Sequence, residues 1–399
     1  MTRPLTIALV RTNFPSESSG GSTFEDEVLR AAVAAPSRHK LVIYPETKRA
    51  RALVDELGAA HRVSFAKELT RPMLPRRVFR RAKRTVLRRK RPLPFAELGE
   101  MLKRAGANCA WMMGGSIHPL DMPYVATLWD LQHRLQPWFP EVSSGGEWRE
   151  RERLYSEFLG RAAAIVTGTS AGANEIESAY GASLGRTHVI PMPTPEFAIS
   201  AGLRPRGSRP AEVPPRYLLY PAQFWAHKNH VTAVRALSLL TGVLDPPYLV
   251  FVGADRGVRA HVLAEAEALG VAHRVQFLGF VPQPRLVMLY QHAEALVFPS
   301  LFGPDNLPPL EAMALGCPVI AARVSGAEEQ IGDAGLLVDG LDAQAFADAV
   351  HALRSDSVAR AHLIERGRER ARRWTTSQYA AAVLELFESR LAPMRELWP

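Results

Sequence analysis

Short apolar runs recur along the chain, each closed by a glycine, proline, asparagine or polar cluster. Their spacing predicts strands at Leu5–Val10, Leu41–Tyr44, Cys109–Met112, Tyr124–Leu128, Ala163–Val166 and His188–Ile190. A second series follows at Tyr217–Tyr220, Tyr248–Val252, Val275–Leu278, Ala295–Phe298, from Pro318 onward, and at Leu336–Val338. Between them lie stretches with helical periodicity: Ser22–Ala35, Glu147–Arg161, His230–Leu240, Val258–Leu269, Pro284–His292 and Ala343–Leu353. Apolar strands without in–out alternation, separated by helices, predict parallel sheets covered on both faces.

The two series are separated by Pro191–Pro215, a stretch with seven prolines and little periodicity that reads as a linker. This gives an expected organisation of 1–195, a linker at 196–215, a second αβ domain at 216–375, and a terminal segment at 376–399. The last helix, Thr376–Leu391, carries an apolar stripe and is expected to pack back on the first domain. Two αβ halves of similar size favour a ligand cleft between them.

Composition narrows the setting. The chain has 399 residues, 47% hydrophobic and 22% charged, the profile of a globular protein. No apolar run approaches the ~20 residues of a membrane span. Met1-Thr2-Arg3-Pro4-Leu5 leads straight into a strand, so no signal peptide is expected. Cys109 and Cys317 are too few for a disulfide framework or a cysteine metal site, and a reduced, cytoplasmic protein is expected. The net charge of +9 is local, because Arg71 to Arg91 holds eleven Lys or Arg and no acid. Val78, Phe79, Ala82, Val86 and Leu87 recur there at roughly helical spacing. A basic amphipathic helix suits an anionic lipid surface, here the inner face of the cytoplasmic membrane, or a solvated face above a thin apolar stripe. Nucleic acid is not expected, since Phe79 alone interleaves the basic residues and no binding motif is present.

Candidate chemistry concentrates at strand ends. After Ala295–Phe298 comes a turn rich in Gly, Pro and Asn, then a helical run from Leu310 to Leu315 that stops at Gly316. A loop entering a helix offers free N–H groups and a positive dipole end, a place for phosphate. Glu311, expected in the first turn, is either a partner for that dipole or a clamp on two ribose hydroxyls. In the first half, Gly20-Gly21 precedes a helix with Glu25, Asp26 and Glu27 in its expected first turn. The spacing is not GxGxxG, so the pair is not read as a dinucleotide fingerprint, and a plain turn stays open. Trp129-Asp130-Leu131-Gln132-His133-Arg134 follows Tyr124–Leu128, where doubly wound sheets bind ligands. Asp130 or His133 could touch a reacting sugar or its acceptor, and a structural role for the histidine is equally open. No Asp-x-Asp is present, so a metal clamp is not indicated.

Taken together, these segments resemble the retaining GT-B glycosyltransferases of family 4. The resemblance rests on Pro221-Ala222-Gln223-Phe224-Trp225-Ala226-His227-Lys228-Asn229-His230, Phe251-Val252-Gly253, Phe277-Leu278-Gly279-Phe280-Val281, Pro299 through Ala314, and Glu329 through Val338. It covers the second half and parts of the first, where Asp130-Leu131-Gln132-His133-Arg134 looks like a segment of bacterial polysaccharide transferases. The fold implied is two Rossmann-like domains facing across a cleft. The activity implied is transfer of a hexose-type sugar from a GDP- or UDP-sugar to a glycan or lipid-linked acceptor, without metal or other cofactor. The resemblance gives Lys228 to the diphosphate, Glu311 to the ribose, the backbone amides of Asn306 and Leu307 to the diphosphate, and the surroundings of Phe280 and Val281 to the base. Gly20 and Gly21 would close over the phosphates. Three positions depart from the family: Gln223 replaces an arginine, Gly303 an acid, and Trp129 a histidine. An epimerase on the same architecture, or a non-catalytic polyanion- or membrane-binding protein, are the competing expectations.

Overall fold

Strands that are apolar on both faces need cover on both, and the chain supplies it twice. The computed structural model describes residues 3–12, 20–59, 61–67, 94–114, 119–181, 185–240 and 245–397. The basic segment Arg71 to Arg91 lies outside the described residues. Among them, the first half builds β1 (Thr6–Val10), β2 (Lys40–Tyr44), β3 (Val63–Phe65), β4 (Cys109–Met112), β5 (Tyr124–Thr127), β6 (Ala164–Thr167) and β7 (Thr187–Val189). They form one parallel sheet in the order β3-β2-β1-β4-β5-β6-β7. The second half builds β8 (Tyr217–Pro221), β9 (Tyr248–Val252), β10 (Val275–Phe277), β11 (Ala295–Phe298), β12 (Val319–Ala322) and β13 (Leu336–Val338). Their order is β10-β9-β8-β11-β12-β13, again parallel throughout. These are two Rossmann-like sheets.

Alternation along a strand divides the first sheet's core in two. Ile7 and Leu9 face one cluster with Trp111, while Ala8 and Val10 face the other with Tyr124 and Phe158. The first cluster is closed by α1 (Gly20–Ala34), and the second by α2 (Glu147–Arg161). The terminal helix, Thr376–Leu386 with a π turn through Leu391, returns to the first half as its periodicity predicts. It starts at a capping box formed by Thr375 and Gln378. Tyr379, Val383, Leu384 and Phe387 enter the first-half core, each fully burying a side chain worth about 1.5–3 kcal/mol.

Four expectations need correction. The stretch read as an unstructured linker holds a helix, Glu196–Gly202, and Ala198 is buried in the second half's core. A Cβ on Gly202 would stand 2.1 Å from the Ala314 carbonyl, so glycine permits that docking. Helices at Lys48–Glu56, Pro94–Arg104, Ser170–Tyr180 and Ser357–Arg372 were not anticipated. Gly20 and Gly21 open α1 rather than precede it, which moves Glu25, Asp26 and Glu27 out of the first turn. The helix expected from Leu310 begins at Leu307, with Pro308 and Pro309 inside its first turn, where proline loses no hydrogen bond. Glu311 therefore stands in the second turn. No helix among the described residues is long and apolar enough to cross a membrane, and both cysteines are buried and free.

Candidate functional site

Parallel strands of one sheet send their C-terminal ends to the same edge, and ligands bind outside that edge. In the second half, the loop after β8 turns through a single 3-10 turn, Ala226–Lys228, and is fixed by Asn229. Asn229 sits at φ 52°, and its amide donates to the carbonyls of Pro299 (3.2 Å) and Gly340 (2.7 Å). This presents Lys228 toward the loop after β11. Its Nζ donates to Ser300 Oγ (3.2 Å) and Asn306 Oδ1 (3.4 Å), and lies 5.5 Å from the centre of the Phe298 ring. All its near partners are neutral. Burial pushes the ammonium down to about 8, against the carboxylates of Asp130 and Glu141.

Glu311 stands on the helix that follows the β11 loop, at 8% exposure. Tyr290, from helix Gln283–His292, donates its hydroxyl to Glu311 Oε2 at 2.7 Å. Burial raises the carboxyl to about 7, and Glu27 of the opposite half raises it further. Asn306 is placed differently from expectation. Its backbone N–H donates to Gln330 Oε1 (3.1 Å), and it is the side chain that reaches Lys228. Gly303 has φ +124°, and a Cβ there would lie 2.6 Å from the Asn306 amide, so an acidic side chain has no room at this position.

At the facing edge of the first half, Glu25 is wholly buried and accepts from the Thr12 N–H at 2.9 and 3.1 Å. Burial raises both Glu25 and Glu27 to about 7. Trp129 occupies the space over Gly114, where a Cβ would come within 2.6 Å of the indole and 2.5 Å of Glu25. Asp130 accepts from the Gln132 N–H (3.0 Å), and its charge reaches Lys228 across the cleft.

The two edges touch. Glu141 accepts from the backbone N–H of His227 (3.1 Å) and pairs with its Nδ1 (2.5 Å). Gln136 donates to the Leu301 carbonyl at 2.8 Å. Glu329 accepts from the N–H groups of Ser170 (2.7 Å) and Ala171 (2.8 Å), capping a helix of the other half. Asp305 is set against Gly168, where a Cβ would collide with its carboxylate at 2.0 Å, and burial raises its carboxyl to about 7. A Cβ on Gly20 would lie 3.3 Å from Leu307, so the expected lip meets the expected phosphate loop.

The structure thus brings Lys228, Asn306 and Ser300 together, with Asp130, Gly20 and Leu307 close by. Phe280, 58% exposed, and buried Val281 stand on the loop after β10, at the outer end of the same edge. His133 is not among them. It is fully buried, 4.7 Å from the Tyr155 ring, with Nε2 near Tyr180 Oη (3.2 Å) and Glu152 (3.3 Å). The short helix Gln132–Leu135 turns it into the core, and burial lowers its pKa. Sequence reasoning missed Ser300 and Tyr290, which carry no local signal. Among the described residues no cluster of three or more His, Cys, Asp or Glu could hold a metal ion.

Comparison with known proteins fits this edge. Residues 206–370 match the family model described as Glycosyl transferases group 1. A D-inositol 3-phosphate glycosyltransferase of Corynebacterium urealyticum is 37% identical over 167 residues, 40% of this chain and 39% of that protein. An O-antigen chain mannosyltransferase B of Escherichia coli is 30% identical over 230 residues, 55% of this chain and 58% of that protein. The chain thus spans well under two thirds of these relatives' own length. The crystal structure of Anabaena HepE with UDP and glucose superposes with a TM-score of 0.64 at 17% identity, covering 96% of this chain and all of that one. With two facing parallel sheets, such neighbours establish the GT-B fold.

Proposed function

We propose that this chain, whose residues 206–370 are a Glycosyl transferases group 1 domain, is a retaining hexosyltransferase of the family 4 type. It uses a GDP- or UDP-sugar and extends a glycan, on a lipid-linked acceptor, in bacterial surface polysaccharide synthesis. The observation that carries this reading is Lys228, an ammonium hydrogen-bonded only to neutral groups at a sheet edge, on the loop next to the one that leads into the helix of buried Glu311. A glycosyl transfer must stabilise a departing diphosphate, and a preorganised cation does so without rearranging solvent. Glu311, once ionised, can accept from two vicinal hydroxyls, with Tyr290 fixing its other lone pairs. The relatives named above support glycan or glycoside synthesis, and HepE's UDP and glucose support a nucleotide-sugar donor.

In this reading the second half holds the donor and the first half the acceptor. Lys228 meets the charge that develops on the leaving diphosphate. Asp130, opposite it, keeps the ammonium protonated and lies where the acceptor hydroxyl would approach. No residue is assigned as a covalent nucleophile, so retention implies attack on the face from which the leaving group departs. The basic stretch Arg71 to Arg91 would hold the protein on anionic lipid.

The test is turnover of a panel of UDP- and GDP-sugars with short glycan acceptors. One donor should be consumed by the wild-type protein, and Lys228→Ala and Glu311→Ala should each lower that turnover about tenfold or more at sub-saturating donor. Equal turnover by both variants would remove the donor assignment.

A further inference from the structure

We infer that Arg256 is a second cation of the donor site and binds the diphosphate alongside Lys228, an inference that rests on the donor reading above. Three observations lead there. The first is position. In the order β10-β9-β8, the loop after β9 lies between the loop of Phe280 and Val281 and the loop of Lys228. The three loops are fastened together: the Gly253 N–H donates to the Gly279 carbonyl (2.8 Å), and the Phe224 N–H to the Ala254 carbonyl (3.0 Å). Gly253, at φ +147°, allows the contact, since a Cβ there would stand 2.2 Å from the Ala222 carbonyl. An extended ligand with its base at Phe280 and its phosphates at Lys228 must cross the β9 loop.

The second observation is how the guanidinium is held. Arg256 Nε donates to Gln223 Oε1 at 3.0 Å, and the Trp225 indole N–H donates to the same oxygen at 3.1 Å. The guanidinium also lies over the Trp225 ring, 5.4 Å from its centre. Its one hydrogen bond among the described residues goes through Nε, so the two terminal nitrogens remain able to meet a phosphate in fork geometry.

The third is charge. Several arginines of this half face carboxylates (Arg216 faces Asp245 and Glu294, Arg235 faces Glu265, Arg285 faces Glu212, and Arg323 faces Glu328), while Arg259 and Arg274 rest on aromatic rings. Arg256 forms no ion pair among the described residues, and its anchors are an amide and an indole. A diphosphate that gains charge as the sugar leaves calls for more than one ammonium, and a guanidinium remains charged at any working pH. Gln223 then has a positive task. It trades a cation of its own for the placement of one from the neighbouring loop.

The experiment is titration calorimetry on the full chain with UDP, GDP, uridine and guanosine, comparing wild type, Lys228→Ala, Arg256→Gln, and Gln223→Arg combined with Arg256→Gln. Arg256→Gln should weaken the preferred nucleoside diphosphate about tenfold or more and leave its nucleoside within about twofold. The double variant should recover most of the loss, because the cation has only moved from one loop to the next. Equal weakening of diphosphate and nucleoside, or no weakening while Lys228→Ala loses affinity, would overturn the role of Arg256 and leave the donor site standing. No nucleoside diphosphate binding by the wild type would overturn both.

Discussion

The two sheet edges that face each other carry opposite chemistry. The second-half edge presents Lys228 and Arg256 on neutral supports, Ser300, Asn306, Gln223 and Trp225. The first-half edge presents carboxyl groups, with Glu25 and Asp26 buried and Asp130 and Glu141 on the facing loops. Where that edge has a cation, it is already spoken for, since Arg11 and Arg49 both pair with Asp26. Cations held by neutral groups suit a diphosphate, and carboxyls suit the hydroxyls of a sugar acceptor. On the proposed reading this contrast gives the two halves their ligands, and it can be broken residue by residue.

The largest expected effect is at Lys228. Lys228→Ala should lower kcat by about 10²–10³-fold, the usual magnitude for removing one preorganised group at a developing oxyanion. Melting should change little, because the ammonium leaves behind two neutral partners able to bond water. Glu311→Ala comes next, raising the donor KM roughly 10- to 100-fold as a charged hydrogen-bond acceptor is lost. Steady-state kinetics with the donor varied measures both.

The pH profile tests the pairing of the edges. Protonated Lys228 binds anion, so its contribution is lost as pH rises through about 8. Ionised Glu311 accepts from hydroxyls, so its contribution is lost as pH falls through about 7. The kcat/KM for donor should be bell-shaped, with Glu311→Gln removing the acid limb. The Asp130 carboxylate holds the lysine up, so Asp130→Asn should move the alkaline limb to lower pH. The smallest effect on activity belongs to His133→Gln, which should leave donor kinetics within about twofold. It should lower the melting temperature by several degrees, because a buried hydrogen-bonded group is disturbed.

The same contrast between halves governs what was legible in the sequence. In the second half, Tyr248–Val252, Ala295–Phe298 and Leu336–Val338 are strands with the expected bounds, because each is an apolar run ended sharply by Gly, Pro or Asp. Lys48–Glu56 was illegible because only Ala50, Leu53 and Val54 are buried in a strongly charged stretch. Ser357–Arg372 hides for a related reason, its buried stripe being Leu363, Gly367 and Ala371 beneath a coat of arginines. Glu196–Gly202 was masked by flanking prolines, although its docking depends on the small residues Ala198 and Gly202. Of the candidate site, Glu311 was read from the start of its helix, whereas Lys228 and Asn306 came only from the family resemblance. For His133 the sequence left a site role and a structural role open, because the short helix after Asp130, which turns both Gln132 and His133 inward, has no sequence signal. Arg256 could not be found at all from spacing, since its place is fixed by a contact between two loops.

One measurement bears most directly on the division of labour between the edges. Titration of the preferred nucleoside diphosphate into wild type, Lys228→Ala, Glu311→Ala and Asp130→Asn compares the two edges in a single ligand. The account predicts that the two second-half variants lose at least tenfold in affinity while Asp130→Asn stays within about threefold. Loss of binding in Asp130→Asn with full affinity in both second-half variants would contradict it.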